Sequence, residues 1–236
     1  MKKYRKEQEK QHGDMKAQFF PYKDENVTRG VQHVTVGLIL LNTLIFLISL
    51  SDFENIILTY GFTPASFTVI TIFTSMFLHG GFDHLFGNMW YLYLFGDNVE
   101  EKFGSLWYLL FYLCSGVFAI LIQWLTDPLS TVPTIGASGA ISGILGAYIV
   151  LFPKVKVRVI GPFYTTYKVS AMLMIGFWFI MQLMFGAISF VGGTGSGIAF
   201  WAHVGGFVFG FITTKIYKRF RSHDKGRLLR LGIFEN

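Results

Sequence analysis

The sequence predicts an all-α, polytopic membrane protein with six transmembrane helices, on three observations. First, 52% of the 236 residues are hydrophobic and only 14% are charged, whereas about a quarter of the residues in a soluble domain are charged. Second, apolar runs of membrane-spanning length recur along the chain. Third, six crossings place all 20 basic residues on one side of the membrane. No basic stripe is left for nucleic acid, so no nucleic-acid partner is expected.

Five apolar runs have the roughly 17–25 residues that cross the hydrocarbon core as a helix. A sixth run, from Asp83 to Phe95, is shorter, and its helix is expected to continue through Asp97 to Lys102. Another apolar stretch, Phe67 to Leu78, has only about 12 residues and is predicted to be re-entrant or interfacial. The five longer runs are Val31 to Leu50, Phe103 to Leu125, Thr134 to Phe152, Val169 to Val191 and Ile198 to Tyr217.

The distribution of Lys and Arg tests this number of crossings. Eight basic residues lie in residues 1–30, one follows the second span at Lys102, four lie from Lys154 to Lys168, and seven lie from Lys215 to Arg230. Six crossings put these four groups on the same side, and the positive-inside rule then places both termini in the cytoplasm. A crossing at 67–78 would divide the groups between the two sides, so we reject it.

The same topology divides the chain into three parts. Residues 1–30 are predicted to be a basic cytoplasmic tail and residues 31–217 the six-span domain. Residues 218–236 are predicted to be a second basic cytoplasmic tail, in contact with membrane lipid. We expect a multi-pass protein of the plasma membrane of a bacterial cell.

Polar side chains recur near the start of three predicted spans. His84 and Asn88 are four residues apart in the second span and therefore share a helix face. Ser138 lies in the first turns of the fourth span, and His203 lies near the start of the sixth. All three helices begin on the outer side in the predicted topology, so these side chains are expected roughly one to two turns below the surface. Polar groups at that depth are costly and usually have a function or a partner.

Each of these residues, taken alone, has a purely structural explanation. Serine among glycines is usual where membrane helices pack, and histidine or asparagine can form hydrogen bonds between helices. Glycines recur at helical spacing on the fourth span, and on the sixth span His203 shares a face with two glycines. Packing of these two faces is expected to bring His203 near Ser138, so close packing and catalysis are compatible. The glycines are Gly136, Gly139, Gly143 and Gly146, with Gly206 and Gly210.

A serine and a histidine in contact can act as a catalytic dyad. The histidine takes the proton of the hydroxyl and so activates its oxygen as a nucleophile. Attack on a peptide carbonyl creates an oxyanion, for which the side chains of His84 and Asn88 and the backbone N–H of Ser138 are candidate donors. The acidic residues of the outer side lie in loops or at helix ends. No third residue that would orient His203 is therefore evident, and we expect a dyad rather than a triad.

Three motifs at these residues resemble those of the rhomboid intramembrane serine proteases. The resemblance covers about Val31 to Tyr217 and implies a six-helix, rhomboid-like bundle. It also implies Ser138 as nucleophile, His203 as base, and His84 and Asn88 as oxyanion donors. The implied activity is cleavage of membrane-anchored proteins at or near the outer end of a transmembrane helix. The motifs are His79-x4-His84-x3-Asn88 in HGGFDHLFGN, Gly136-x-Ser138-Gly139 in GASG, and Ala202-His203-x2-Gly206-x3-Gly210 in AHVGGFVFG.

Other features are similar to the family pattern or depart from it. Glu100, in VEEKFG, resembles a family glutamate and is expected to be structural. The first outer loop contains neither Trp nor Arg, although many members carry a Trp–Arg pair there. Several members also place a tyrosine four residues after the nucleophile, packed on the catalytic imidazole, where this chain has Ser142. We expect another aromatic residue to pack on the imidazole: Trp201, Trp178 or Phe185.

The sequence therefore predicts an intramembrane serine endopeptidase whose partners are transmembrane protein substrates. No cofactor or metal is expected, because no cluster of His, Asp and Glu with ligand spacing occurs inside the spans. His79, His84 and His203 could in principle gather around zinc, but the motif His-x4-His also lacks the glutamate of the helical metalloprotease signature. One alternative is a channel or transporter, although no Asp, Glu, Lys or Arg lies within the core of a span. The other is a non-catalytic binder or chaperone of membrane proteins on the same fold. The sequence does not predict the oligomeric state.

Overall fold

A computed structural model describes residues 20–26, 28–161, 164–192 and 198–230, without the side chains of residues 190–192 and 222–230. The described chain is mostly α-helical, with one small antiparallel sheet. The longer helices are α1 (His33–Ser49), α4 (Phe82–Tyr91), α6 (Ser105–Thr126), α7 (Ser138–Leu151), α8 (Ala171–Gly192) and α9 (Phe200–Arg230). The shorter helices are α2 (Phe53–Tyr60), α3 (Val69–Thr74) and α5 (Asp97–Phe103).

Each of the six predicted spans contains a helix, but their number as membrane crossings stays a prediction. Among the described residues, three helical stretches are long and apolar enough to cross a bilayer: His33–Tyr60, Ser105–Thr126 and Ala171–Ser189. Helix α7 has 14 residues, and at 1.5 Å per residue it rises about 21 Å, less than the hydrocarbon thickness of about 30 Å. The apolar stretch at 67–78 forms only the six-residue helix α3 and a short 3-10 turn.

Helix α7 lies at the centre of the bundle, where α6 and α9 pack against it. Nearly every residue after Ser138 is buried, which is why this helix can be shorter than its neighbours. Glycines allow the close contact with α9. A Cβ atom on Gly206 would lie 2.0 Å from the carbonyl oxygen of Gly139, and a Cβ on Gly210 would lie 2.0 Å from that of Gly143. The two backbones therefore touch along the faces where the sequence places its glycines.

Helices α4 and α5 are two parts of one continuous helix that is widened in the middle. The backbone from Leu92 to Gly96 forms a π-helical turn between them, a feature that takes up an additional residue. Gly96 lies against the hydroxyl of Tyr108, at a distance that leaves no room for a Cβ. The helix ends at Gly104, whose φ of 80° is one that residues with a side chain rarely adopt and whose N–H donates to the carbonyl of Glu100 at 2.7 Å.

The carboxylate of Glu100 caps the first turn of helix α1. It accepts hydrogen bonds from the backbone N–H groups of Val34 and Thr35, at 3.0 and 2.8 Å. It also accepts from the hydroxyls of Thr35 and Ser105, at 2.8 and 2.7 Å. The first N–H groups of a helix have no partner within that helix, and they carry partial positive charge. A buried carboxylate is therefore stabilised at this position, and it joins α1, α5 and α6.

A three-stranded antiparallel sheet, which was not predicted from the sequence, lies at the Glu100 end of the bundle. Its strands are β1 (Phe20–Asp24), β2 (Lys156–Ile160) and β3 (Thr166–Ser170), with β2 in the middle. Val157 and Val159 alternate with more exposed residues on β2 and are fully buried, which is the pattern of a half-buried strand. The carboxylate of Asp24 accepts hydrogen bonds from Tyr148 and Asn98, both at 2.7 Å. The part of the predicted N-terminal tail from Phe20 to Asp24 is thus packed on the helices.

The long loop before α4 is joined to the segment that precedes α7, which shows how it is anchored without a Trp–Arg pair. Phe62 is buried and pairs with Thr134 as an isolated antiparallel bridge, with N···O distances of 3.1 and 2.8 Å. The backbone N–H of Gly136 donates to the carbonyl of Ser75 at 2.9 Å. These extended contacts explain why α7 begins at Ser138 and not at Thr134, where the predicted span began.

Replacing Glu100 tests the cap on α1. Glu100→Gln replaces one carboxylate oxygen by an NH₂ group, which cannot accept a hydrogen bond. The buried N–H and O–H groups that donate to that oxygen then have no acceptor, so we expect the free energy of unfolding to fall by about 2–4 kcal/mol. For a chain of this size that corresponds to a fall in the midpoint of thermal unfolding of roughly 5–15 °C, measured by circular dichroism in detergent micelles. The neighbouring Glu101→Gln is the control, since among the described residues Glu101 accepts one long bond, from the backbone N–H of Arg29 at 3.3 Å. Equal midpoints for the two variants would contradict the capping role.

Replacing Gly210 tests the contact between α7 and α9. Gly210→Ala forces the added methyl group against the backbone of Gly143, so we expect destabilisation of about 1–3 kcal/mol, again measured by thermal unfolding in micelles. Gly37→Ala is the matched control, because among the described residues no atom outside the surrounding turn of its own helix lies within 4 Å of the added Cβ. That control should be neutral or more stable by up to about 1 kcal/mol through helix propensity. A neutral Gly210→Ala variant would show that the helices do not need their close approach.

Candidate active site

Ser138 is the first residue of helix α7, and the backbone before it turns sharply. Gly136 has φ of 124°, a conformation that residues with a side chain rarely adopt. The backbone N–H of Ser138 belongs to the first turn, where N–H groups have no acceptor within the helix. Ser138 is half-buried, so its hydroxyl is neither sealed inside the bundle nor fully exposed.

The hydroxyl of Ser138 lies within hydrogen-bond distance of His203. The distance from Ser138 Oγ to His203 Nε2 is 2.8 Å. His203 lies in the first turn of α9, three residues before Gly206, which touches the backbone of Gly139. The glycine contact between the helices therefore sets the separation of these two side chains.

The side chains of His84 and Asn88 extend from helix α4 toward Gly136. A Cβ atom built on Gly136 would lie 2.8 Å from His84 Nε2 and 3.7 Å from Asn88 Nδ2. His84 Nδ1 accepts a hydrogen bond from the backbone N–H of Gly80 at 3.3 Å, so the ring proton of neutral His84 is on Nε2. Asn88 Nδ2 is buried, and among the described residues it has no hydrogen-bond partner. Two N–H donors are thus directed at the space beside Gly136.

His79 lies next to His84 but takes no part in the contact with Ser138. Its ring is fully buried and packs edge-on against the ring of His84, with centroids 5.2 Å apart. Among the described residues, no three His, Cys, Asp or Glu side chains are grouped so that they could hold a metal ion.

Helix α8 supplies a contact to His203 that was not predicted from the sequence. Gln182 Oε1 lies 2.8 Å from His203 Nδ1, and the glutamine side chain is 8% exposed. Ring contact comes from Trp178, whose centroid is 5.9 Å from that of His203. Gln182 is the sole amide, acidic or basic side chain in the sequence of α8. A lone amide in an apolar span was the available signal, because such a group needs a polar partner in the membrane.

The other aromatic candidates for packing on His203 have different neighbours. Trp201 donates a hydrogen bond from Nε1 to the carbonyl of Gly186 at 3.2 Å, and Phe185 packs on Phe200 with centroids 5.6 Å apart. Ser142, at the position of the family tyrosine, donates its hydroxyl proton to the carbonyl of Ser138 at 2.6 Å. Trp178, one of the residues proposed to hold the imidazole, thus makes a ring contact with it in the described part of the chain.

A small cavity adjoins Ser138. Its volume is about 20 Å³, which is room for about one water molecule. Its lining is mostly apolar and includes Met76, Gly116 and Ala119. Gly116 leaves space for Met76, because a Cβ at that position would overlap the methionine side chain. The cavity therefore accepts only small groups.

Comparison with known proteins gives a consistent set of relatives. Residues 66–220 match the Rhomboid domain. Rhomboid protease GluP of Bacillus subtilis (strain 168) is 34% identical over 143 residues, which cover 59% of this chain and 24% of that protein. The putative rhomboid protease YdcA of the same organism is 37% identical over 78 residues, or 33% of this chain and 39% of that protein. Rhomboid-like protein 11, chloroplastic, of Arabidopsis thaliana is 42% identical over 71 residues, or 30% of this chain and 25% of that protein.

The matched regions thus span between a quarter and two fifths of the length of these curated relatives. The domain match itself covers more than half of this chain and contains all three motifs, from His79 through Ser138 to Gly210. The chain therefore belongs to the rhomboid family, a family of integral membrane proteins.

Proposed function

We propose that the chain is an intramembrane serine protease that cleaves membrane-anchored proteins in or near the outer end of a transmembrane helix. The observation that carries the proposal is the distance of 2.8 Å between Ser138 Oγ and His203 Nε2. These groups come from two different helices, far apart in sequence, and their contact is the arrangement that activates a serine nucleophile. Relatives named rhomboid proteases give it further support.

In this mechanism Ser138 Oγ attacks the scissile carbonyl carbon while His203 Nε2 accepts the hydroxyl proton. The resulting imidazolium gives that proton to the leaving amine, and the C–N bond breaks to leave an ester on Ser138. A water molecule then attacks the ester carbonyl and gives its proton to His203. Collapse releases the new carboxyl terminus and returns the proton to Ser138.

The oxyanion of each tetrahedral intermediate needs donors that are already in place. The N–H groups of Asn88 and His84 are directed at the space beside Gly136, and the backbone N–H of Ser138 is adjacent. Asn88 Nδ2 is buried and has no partner among the described residues. An unsatisfied buried donor normally costs about 1–3 kcal/mol, so an incoming oxyanion would stabilise this group as well as being stabilised by it.

The substrate class follows from the proposed topology. Six crossings with both termini in the cytoplasm place Ser138, His84 and His203 toward the outer face. A helical substrate has its carbonyls in backbone hydrogen bonds, so it must unwind locally before it can react, and Gly, Ala or Ser near the cut favours this. The small cavity next to Ser138 also favours small side chains. Membrane proteins with such residues at the outer end of a single span are the proposed substrates.

Labelling with a fluorophosphonate probe tests the nucleophile. We expect the purified protein in detergent to react, whereas Ser138→Ala and His203→Ala do not, because the first lacks the oxygen and the second lacks the base. Ser142→Ala is the matched control, since this serine lies one turn away on α7 and bonds the carbonyl of Ser138. It should label like the wild type. Equal labelling of wild type and Ser138→Ala would refute the assignment, and the non-catalytic binder would then be favoured.

Replacing Asn88 tests the oxyanion donors. Asn88→Ala should lower kcat for cleavage of a single-span substrate by about 10²–10³-fold, the usual effect of losing one donor. Asn88→Asp should be impaired at least as strongly, because a carboxylate offers no N–H and repels the oxyanion. The measurement is cleavage in proteoliposomes, with circular dichroism to show that each variant is folded. Near-normal kcat in Asn88→Ala would remove this residue from the mechanism.

A further inference from the structure

Helix α8 touches His203 through a neutral amide. Gln182 Oε1 lies 2.8 Å from Nδ1 on one side of the ring, and Ser138 Oγ lies 2.8 Å from Nε2 on the other. The imidazole is therefore held between two polar groups from two other helices. An amide oxygen can only accept a hydrogen bond, so this contact requires a proton on Nδ1.

The position of that proton decides what the ring can do for Ser138. Neutral imidazole carries one proton, and when Nδ1 holds it, Nε2 has a free lone pair. The opposite tautomer would present an N–H to the serine oxygen and could not accept its proton. We propose that Gln182 is a positioning residue: by accepting a hydrogen bond from Nδ1, it holds His203 in the tautomer that takes the proton of Ser138. This inference rests on the function proposed above for Ser138 and His203.

The packing around Gln182 keeps its oxygen in place. Trp178 lies one turn earlier on α8, so it shares a face with Gln182, and its ring also contacts His203. Phe179 stacks on Phe207 of α9 with centroids 4.2 Å apart. These contacts hold α8 against α9 at the level of the imidazole, and only the amide among them can act on its tautomer.

A glutamine suits this place better than the carboxylate of a serine protease triad. An ionised carboxylate loses a large solvation energy when it is buried among apolar helices, whereas a neutral amide loses much less. The amide keeps the orienting hydrogen bond but cannot accept the proton. In this proposal the dyad of Ser138 and His203 has a third, neutral group, the amide of Gln182, which orients the imidazole.

Nitrogen NMR of the histidines tests the tautomer without any need for activity. The protein is labelled with ¹⁵N-histidine in detergent, and the signals of His203 are identified by their loss in His203→Gln. In the wild type we expect the ¹⁵N signals of a His203 ring that carries its proton on Nδ1. Gln182→Met, which has similar length but lacks the amide oxygen and offers only a weakly accepting sulfur, should shift the ¹⁵N signals toward those of a ring protonated on Nε2. Leu183→Met, an exposed neighbour on the same helix, should leave them unchanged.

Kinetics on the same proteins test whether the tautomer matters for the reaction. Gln182→Met should lower kcat for a single-span substrate by about 10–100-fold, as the loss of a hydrogen-bond partner that orients a metal-bound histidine does, with KM unchanged. Gln182→Glu restores an oxygen acceptor, so its kcat should be well above that of Gln182→Met. A purely structural role would not produce this rescue together with the change in tautomer.

The outcomes separate the two proposals. An unchanged tautomer in Gln182→Met, or a changed tautomer with wild-type kcat, overturns the role of Gln182. A fall in kcat without a change in tautomer assigns the loss to packing and overturns it as well. If the wild-type protein cleaves nothing and its Ser138 does not label, the protease function fails, while the NMR comparison still decides whether Gln182 sets the tautomer.

Discussion

The approach of α7 and α9 to backbone contact is the constraint on which the rest of the site depends. No methyl group fits at Gly206 or Gly210, because the carbonyls of Gly139 and Gly143 occupy that space. Within a bilayer, helices gain little from hydrophobic burial against each other, so close packing of small residues carries much of their association. Ser138 and His203 lie at one end of this contact, and their separation follows from it directly.

The groups around the imidazole are held in two different ways. Helices α7 and α9 meet through their backbones, which leaves little freedom in their spacing. Helix α8 meets α9 through side chains, including the stacked pair of Phe179 and Phe207, and its other end continues directly from strand β3. Ser138 and His203 thus lie on the two helices whose backbones touch, and the amide of Gln182 reaches His203 from a helix that meets α9 through side chains.

Several features of the fold and site were predictable from the sequence because they depend on local patterns. The lengths of the apolar runs predicted the helices, and the glycine spacing in the fourth and sixth predicted spans indicated the faces on which α7 and α9 are in contact. The sheet was missed because Val157 and Val159 alternate with basic residues over only one short strand, inside a stretch interpreted by its charge as a loop. The start of α7 was placed too early, since the bridge between Phe62 and Thr134 joins segments distant in sequence. The contact of Gln182 was missed for a related reason: its partner, His203, lies on another helix, and the sequence does not give the packing of α8 against α9.

The π-helical turn at Leu92–Gly96 determines how the side chains of α5 are rotated about the helix axis relative to those of α4. In an uninterrupted α-helix, Glu100 would point about 120° away from Asn88, because each residue advances the helix by about 100°. One residue taken up by the wider turn reduces that difference to about 20°. The capping carboxylate and the candidate oxyanion donor can therefore both face the interior. Removing a single residue from this turn would keep every side chain that the site needs. It would, however, rotate α5 about the helix axis relative to α4, so that Glu100 and Asn88 would no longer face the same side.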